Sequence, residues 1–231
     1  MRPSTLHLRG EYHQHLGGQP GFKFQTKGIV MSSENSQTID SYESRFGEYI
    51  SATIHTVQGP MKKWLDASVE GLPLDAQILE LGSGFGRDAK YLQSKGYVLE
   101  CSDAAKSFIT ILIAQGFKTR QLNAITDDIK GQYDSIIANA VVLHFTDDEA
   151  ETVVNKVYGA LKPSGRFAFT VIKGEGDEWT DGKLGLPRYF NYWSEQDLTN
   201  LLQAAGYRNT VIETVGKEDG GKKWLMVTTY K

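Results

Sequence analysis

Apolar residues recur along the chain with two alternating periods. From Ser36 the segment SQTIDSYESRFGEYISATIHTV sets Tyr42, Phe46, Tyr49 and Ile50 at helical spacing behind the N-cap candidates Ser36, Thr38 and Asp40. Gly59-Pro60 ends that helix, and Met61, Trp64 and Leu65 mark the apolar face of a second. A regular alternation of strand and helix patterns then begins. Strands are predicted over 78–81, 97–101, 117–122, 135–140 and 166–172, with helices over 87–94, 105–115, 147–161 and 194–205. Gly116, Lys162-Pro163-Ser164-Gly165 and Gly206 stop three of the helices. Two last strands, 211–215 and 224–230, flank the turn Asp219-Gly220-Gly221.

Apolar strands alternating with amphipathic helices imply an α/β fold: a doubly wound, mostly parallel sheet covered by helices on both faces. Two strands joined by a short turn run antiparallel to each other. The expected sheet is therefore seven-stranded and ends in an antiparallel C-terminal hairpin, with no internal repeat or second domain. Residues 34–231 form the expected domain, and 34–70 a helical lid. Residues 1–33 lack either period and carry Arg2, Arg9, Lys23 and Lys27 against Glu11 alone. They read as a disordered extension, or as sequence upstream of a start at Met31. His7, His13 and His15 fall in it and read as part of that extension rather than as metal ligands.

Composition narrows the classes. The 231 residues are 40% hydrophobic and 23% charged with a net charge of −3, as expected of a globular protein without a general pull toward nucleic acid or anionic membranes. No apolar run approaches the ~20 residues of a membrane span, and the N-terminus has no apolar core of a signal peptide. Cys101 is the single cysteine, so an internal disulfide and a multi-cysteine metal site are both excluded. A cytoplasmic protein without a metal is expected.

The most informative segment is ILELGSGFGRDAKYL, residues 78–92. A buried strand runs into Gly82, Gly84 and Gly86 and then a helix, whose free N–H groups favour an anionic group. In an open α/β sheet, ligands bind at this carboxyl end of the strands. Dinucleotide sites space their glycines G-x-G-x-x-G; here the spacing is G-x-G-x-G, with Arg87 at the position of the third glycine. Glu80, two residues ahead of Gly82, would repel a pyrophosphate and suits a cationic ligand. No P-loop lysine is present.

Glu80-Leu81-Gly82-Ser83-Gly84-Phe85-Gly86 resembles the first motif of the class I, Rossmann-like S-adenosylmethionine-dependent methyltransferases, and the resemblance runs over about residues 40–231. It implies S-adenosylmethionine as cofactor, and the terminal hairpin is the feature separating that family from dehydrogenases. Leu99-Glu100-Cys101-Ser102-Asp103 then places Asp103, with Ala104 beside it, where the family binds the ribose hydroxyls; a carboxylate accepts both O–H groups of a vicinal diol. By position alone Asp103 also reads as a helix N-cap. Asn123 and Ala124 stand where the family reads adenine, usually through an aspartate, and the Asn123 amide oxygen can accept the same N–H. Tyr133-Asp134-Ser135-Ile136-Ile137-Ala138-Asn139-Ala140 resembles the fourth-strand motif, whose end approaches the methionine part. Leu161-Lys162-Pro163-Ser164-Gly165-Arg166 resembles the turn before the fifth strand. Tyr42 matches a family tyrosine near the methionine moiety; with Phe46 and Tyr49 it forms a lid or simply packs the helix.

An activated sulfonium needs an in-line nucleophile in a dry pocket, and a base only where the acceptor must lose a proton. His144 is the candidate catalytic residue, its alternative being a packed histidine. Lys173 and Glu175 follow the fifth strand, as acceptor contacts or a solvated loop. Arg188, Tyr189 and Tyr192 belong to an aromatic cluster that either lines the acceptor pocket with Tyr49 or caps the core. Asn139-Ala140-Val141-Val142 lacks the Pro-Pro segment of nucleic-acid amine methylation, Cys101 is misplaced for cytosine methylation, and the paired glutamates of protein-arginine enzymes are missing. The expected enzyme is thus a small-molecule methyltransferase, a monomer or homodimer without nucleic-acid or membrane partners. The alternatives are methylation of RNA or protein, and a non-catalytic S-adenosylmethionine-binding protein.

Overall fold

Ser32 turns its hydroxyl onto the Asn35 amide, 3.0 Å away, and so caps helix α1 (Ser33–Ser44). The computed structural model describes residues 32–216 and 221–231. The expected extension therefore lies outside the described residues up to 31, His7, His13 and His15 included, as do Asp219 and Gly220 of the predicted turn. The single N-terminal helix of the sequence pattern is two. The backbone of Arg45 leaves helical geometry at φ −125°, and α2 (Phe46–Ser51) starts after it. Gly59-Pro60 opens α3 (Gly59–Val69) rather than only closing what precedes it, since proline is tolerated in a first helical turn.

The alternation that follows is as predicted in order and type: β1 (Ile78–Glu80), α4 (Arg87–Ser94), β2 (Leu99–Asp103), α5 (Lys106–Ala114), β3 (Lys118–Gln121), β4 (Tyr133–Asn139), α6 (Asp147–Ala160), β5 (Leu161–Ile172). Thr146 and Glu149 cap α6 reciprocally, each side chain holding the other residue's backbone N–H. β5 reaches back through the predicted turn because Ser164 takes a left-handed φ of 64° and the pairing with β4 shifts register there.

One element class is new. β6 (Asp177–Thr180) and β7 (Arg188–Asn191) pair antiparallel as a separate two-stranded sheet, where the sequence showed only an aromatic cluster. Helix α7 (Glu195–Ala204) and the strands β8 (Arg208–Val215) and β9 (Trp224–Tyr230) complete the chain.

The main sheet has seven strands in the order β3-β2-β1-β4-β5-β9-β8. β9 inserts between β5 and β8 and runs antiparallel to both, so it alone opposes the other six. Its central residues are buried while much of β8 is exposed, the signature of an inner strand beside an edge. Phe167, Phe169, Leu79, Ile136 and Ile137 are fully buried at the centre. Trp64 and Leu65 seat α3 on one face, with the Trp64 indole donating to the Val227 carbonyl at 3.0 Å. Of the expected lid over 34–70, α3 therefore mainly covers the sheet, and α1 and α2 are left to cover the strand ends. The doubly wound order puts the carboxyl ends of β1, β2 and β4 side by side, with the crossover point between β1 and β4.

Candidate functional site

A cleft of about 720 Å³ opens at that point, beneath α1. Its floor is Leu81, Gly82 and Gly84; Asp103, Ala104, Leu122, Asn123 and Ala124 form one side, and Asn139, Ala140, Val141 and His144 the other. Asn35, Thr38, Ile39 and Tyr42 of α1, with Tyr49 of α2, form its roof. A second cleft of about 880 Å³ continues past the glycine loop; Tyr49, Gly82, Gly84, Asn139 and Ala140 border both, and Glu80, Arg87, Thr53 and Lys183 line the second.

The loop conformation requires glycine. Gly82, Gly84 and Gly86 all have φ between 54° and 80°, a region that costs other residues strain. A Cβ on Gly82 would also collide with Val141. Asp103 pins this loop to the next strand, accepting from the Gly84 amide through Oδ2 and from the Ala105 amide through Oδ1, each at 2.9 Å. Helix α5 starts only at Lys106, with no side-chain cap from Ala105. Its first turn is capped instead from the lid: Glu43 accepts from the Ser107 amide at 2.9 Å and its hydroxyl at 2.7 Å. Asp103 is thus a loop brace with its carboxylate on the cleft wall. Burial raises its pKa to about 6.

Glu80 is buried beneath the loop, and its Oε2 meets no partner among the described residues. Burial, with Asp88 nearby, lifts its pKa to about 8, so it favours the protonated form at neutral pH until a cation approaches. Ser83 faces inward: its hydroxyl bridges the Glu80 carbonyl and the Ser102 amide. Asn139 also points back, donating to Asp88 at 2.5 Å and accepting from Thr170 at 2.7 Å. Asp88 holds Arg87 through both carboxylate oxygens. Thr170 accepts in turn from the Ala140 amide, 2.9 Å away, beside a residue held at φ 56°. What Asn139 and Ala140 offer a ligand is therefore backbone rather than side chain. Asn123 accepts from the Ile125 amide and donates to Asn35 of the lid at 2.8 Å, so its amide fastens lid to loop.

At the far end, Tyr42 and His144 meet. His144 Nδ1 lies 2.6 Å from the Tyr189 carbonyl, which can only accept, so Nδ1 carries the proton. Burial lowers the imidazole pKa to about 4, leaving the ring neutral and Nε2 a bare acceptor. Nε2 is 2.9 Å from the Tyr42 hydroxyl, which must donate to it; Arg188 donates to the same oxygen at 3.1 Å. The result is a one-way chain, Arg188 to Tyr42 to His144 to the Tyr189 carbonyl.

The other acceptor-side expectations divide. Tyr49 and His144 line the clefts. Arg188 and Tyr189 are buried behind Tyr42 and His144, and neither borders the clefts. Lys173 borders neither: its ammonium sits on Glu195 at 2.6 Å. Tyr192 bonds Glu178 and, with Glu175, lines a separate acidic groove. Phe46 is 40% exposed, turned outward by the break at Arg45. Phe108 and Lys183, which do line the clefts, carried no motif signal, since each is placed by a contact distant in sequence.

The model of a family described as a methyltransferase domain matches residues 53–212. Among solved structures, the chain is similar to a Burkholderia thailandensis 1,6-didemethyltoxoflavin-N1-methyltransferase with bound 1,6-didemethyltoxoflavin and S-adenosylhomocysteine. The identity is 18% over 92% of this chain and 98% of that one, with a TM-score of 0.65. A Haemonchus contortus phosphoethanolamine N-methyltransferase 2 matches at 12% identity over 87% of this chain and 60% of that one, TM-score 0.67. The [4+2]-cyclase SpnF matches at 14% over 88% and 97%, TM-score 0.67. At these identities the likeness is one of fold. No curated protein matches the sequence significantly.

Proposed function

The chain belongs to the methyltransferase domain family, and from that premise we propose that it transfers a methyl group from S-adenosylmethionine to a small-molecule acceptor bound under the α1–α2 lid. One observation carries the reading. Gly82, Gly84, Asp103, Ala104, Asn123, Ala124, Asn139 and Ala140, drawn from the ends of four strands, border a single cleft capped by Tyr42.

The residues present suit this cofactor. The Asp103 carboxylate, with lone pairs left beyond its two backbone bonds, accepts the two hydroxyls of a ribose. Glu80, buried with an unpartnered oxygen, suits a ligand that brings positive charge to the glycine loop. Gly82 and Gly84 leave bare backbone for a close approach. Bound there, S-adenosylmethionine supplies an electrophilic methyl group on a positively charged sulfur.

The chain's own work is to orient the acceptor, exclude water and, for some acceptors, move a proton. Lid bonds from Asn35 to Asn123, Ser41 to the Pro187 carbonyl (2.6 Å) and Glu43 to Ser107 hold the roof down and keep the cleft dry. An acceptor proton that reaches the Tyr42 oxygen is matched by the Tyr42 proton passing to His144 Nε2. Tyr42 ends neutral and His144 becomes imidazolium, still anchored on Tyr189. Held near pKa 4, the imidazole takes such a proton only as methyl transfer makes it strongly acidic. In-line displacement then needs nothing further than position. The lone cysteine, Cys101, buried within β2, suits a cytosolic setting for this reading. Among the described residues no helix is long and apolar enough to cross a membrane.

The test is a thermal-shift and calorimetric titration with S-adenosylmethionine, S-adenosylhomocysteine and NAD. A ligand at about 100 times its dissociation constant stabilises the fold by roughly 2.7 kcal/mol. Stabilisation by the first two and not the third supports the proposal, and formation of S-adenosylhomocysteine on adding an acceptor completes it. Stabilisation by NAD alone sinks it.

A further inference from the structure

Among the described residues, two cations at the lid have no carboxylate within ion-pair distance. Arg188 is 5% exposed, and among the described residues no carboxylate lies within ion-pair distance of it. Its hydrogen bond is to the neutral Tyr42, its Nε has no partner, and its guanidinium rests on the rings of Tyr42 and Phe190, 5.5 and 5.1 Å from their centroids. Burying a guanidinium without a counter-charge is costly, and a fold tolerates that where the charge serves something else. Lys183 differs in being exposed to solvent, but it too has no carboxylate within ion-pair distance among the described residues. Its ammonium donates to the Thr53 hydroxyl at 2.7 Å and stands 4.3 Å over the Tyr49 ring, with no acid alongside, at the border of the second cleft.

Both residues come from the β6–β7 hairpin, Lys183 from its connection and Arg188 from the first position of β7. The hairpin is fastened to the lid by Thr38 on the Tyr189 amide at 3.0 Å and Ser41 on the Pro187 carbonyl. It therefore delivers one positive charge to each tyrosine of the roof. Neighbouring cations are already neutralised, Arg87 by Asp88 and Lys173 by Glu195. Of the acids bordering the clefts, Asp103 is bound to two amides, Asp88 holds Arg87, and Glu80 lies under the glycine loop, where the proposed cofactor brings its charge.

We infer that the acceptor carries an anionic group, a carboxylate or a phosphate-like oxyanion, received by Lys183 at the mouth of the second cleft and attracted by Arg188 from behind Tyr42. The inference rests on the methyltransferase reading and deepens it. With Glu80 facing the charge of the cofactor, no acid bordering the clefts is left for the roof's cations, and an anionic acceptor supplies the missing counter-charge. The ammonium then exchanges its neutral hydroxyl partner for an ion pair with the oxyanion.

The experiment uses the full chain saturated with S-adenosylhomocysteine, titrated calorimetrically with inorganic phosphate, acetate and the neutral control acetamide at constant ionic strength. Phosphate or acetate is expected to bind and acetamide not, and which of the two binds tells the classes of oxyanion apart. Lys183→Met should weaken that binding about tenfold while S-adenosylhomocysteine affinity is kept. Arg188→Met should weaken it too, and Arg188→Lys should restore part of it. Absence of anion binding to the wild-type complex overturns the inference, as does full anion binding by Lys183→Met. A loss of S-adenosylhomocysteine affinity in Lys183→Met also overturns it, since the ammonium then serves the cofactor. If the wild-type chain does not bind S-adenosylhomocysteine at all, the methyltransferase reading falls and this inference with it.

Discussion

The Tyr42 hydroxyl lies 2.9 Å from Nε2 of His144, bridging two segments more than a hundred residues apart in sequence, and it donates the proton in that bond. Because the Tyr189 carbonyl fixes the other ring nitrogen as a donor, the direction of the bond follows from chemistry. Tyr42→Phe removes the middle of the chain and leaves the Arg188 donor and the His144 acceptor without partners. Stability is expected to fall by about 1–3 kcal/mol. With an acceptor that must lose a proton, kcat should fall by about a hundredfold or more, while S-adenosylhomocysteine affinity changes much less. Equal losses in affinity and kcat would show Tyr42 to be a cofactor contact and not part of a proton path.

Asp103 makes two demands on one carboxylate, bracing the glycine loop and facing the ribose. Asp103→Ala should weaken S-adenosylmethionine binding at least tenfold, about 1.4 kcal/mol, and lower stability through the orphaned Gly84 and Ala105 amides. Calorimetry on the variant checks the first, and unchanged affinity would mean that the ribose lies elsewhere.

Glu80 links pH to both stability and binding. Its folded pKa of about 8 exceeds the ordinary 4.5, so the folded chain keeps a proton that the unfolded chain has lost. This contribution is complete below about pH 4.5 and is lost as pH rises toward 8. The ligand-free melting temperature should therefore decline from pH 6.5 to 8, and Glu80→Gln should flatten the decline. A positively charged cofactor drives the same proton off, so binding at pH 7 should release it. Calorimetric enthalpies in buffers of different ionisation enthalpy measure that release, and an enthalpy independent of buffer would count against the assignment.

Gly82→Ala forces a side chain into left-handed backbone at φ 64° and against Val141. A stability loss of about 1–3 kcal/mol is expected, with cofactor binding falling below detection because the new methyl group stands at the cleft floor. Chemical denaturation and calorimetry separate the two effects. Gly159→Ala, in the open part of α6, serves as the control and should leave binding unchanged.

The order and type of the main-sheet strands and the helices between them were legible because each carries its own period, and Gly82, Gly84 and Asp103 because their spacing belongs to one loop and the strand after it. Side-chain direction was not legible. Ser83 and Asn139 read as cofactor contacts by position, yet both hydroxyl and amide turn inward to satisfy buried backbone and Asp88. Lys173 looked poised beyond β5, but Glu195, from the helix that follows, pulls it away.

The sequence by itself therefore determined the doubly wound sheet, the glycine loop at its crossover and the family to which these belong, because periodicity and short-range spacing are local properties of the chain. The tertiary structure alone decided the β6–β7 hairpin, the split of the N-terminal helix and the meeting of Arg188, Tyr42 and His144. Those depend on bonds between residues as many as 151 positions apart, and such partners are chosen by packing, which no local pattern encodes.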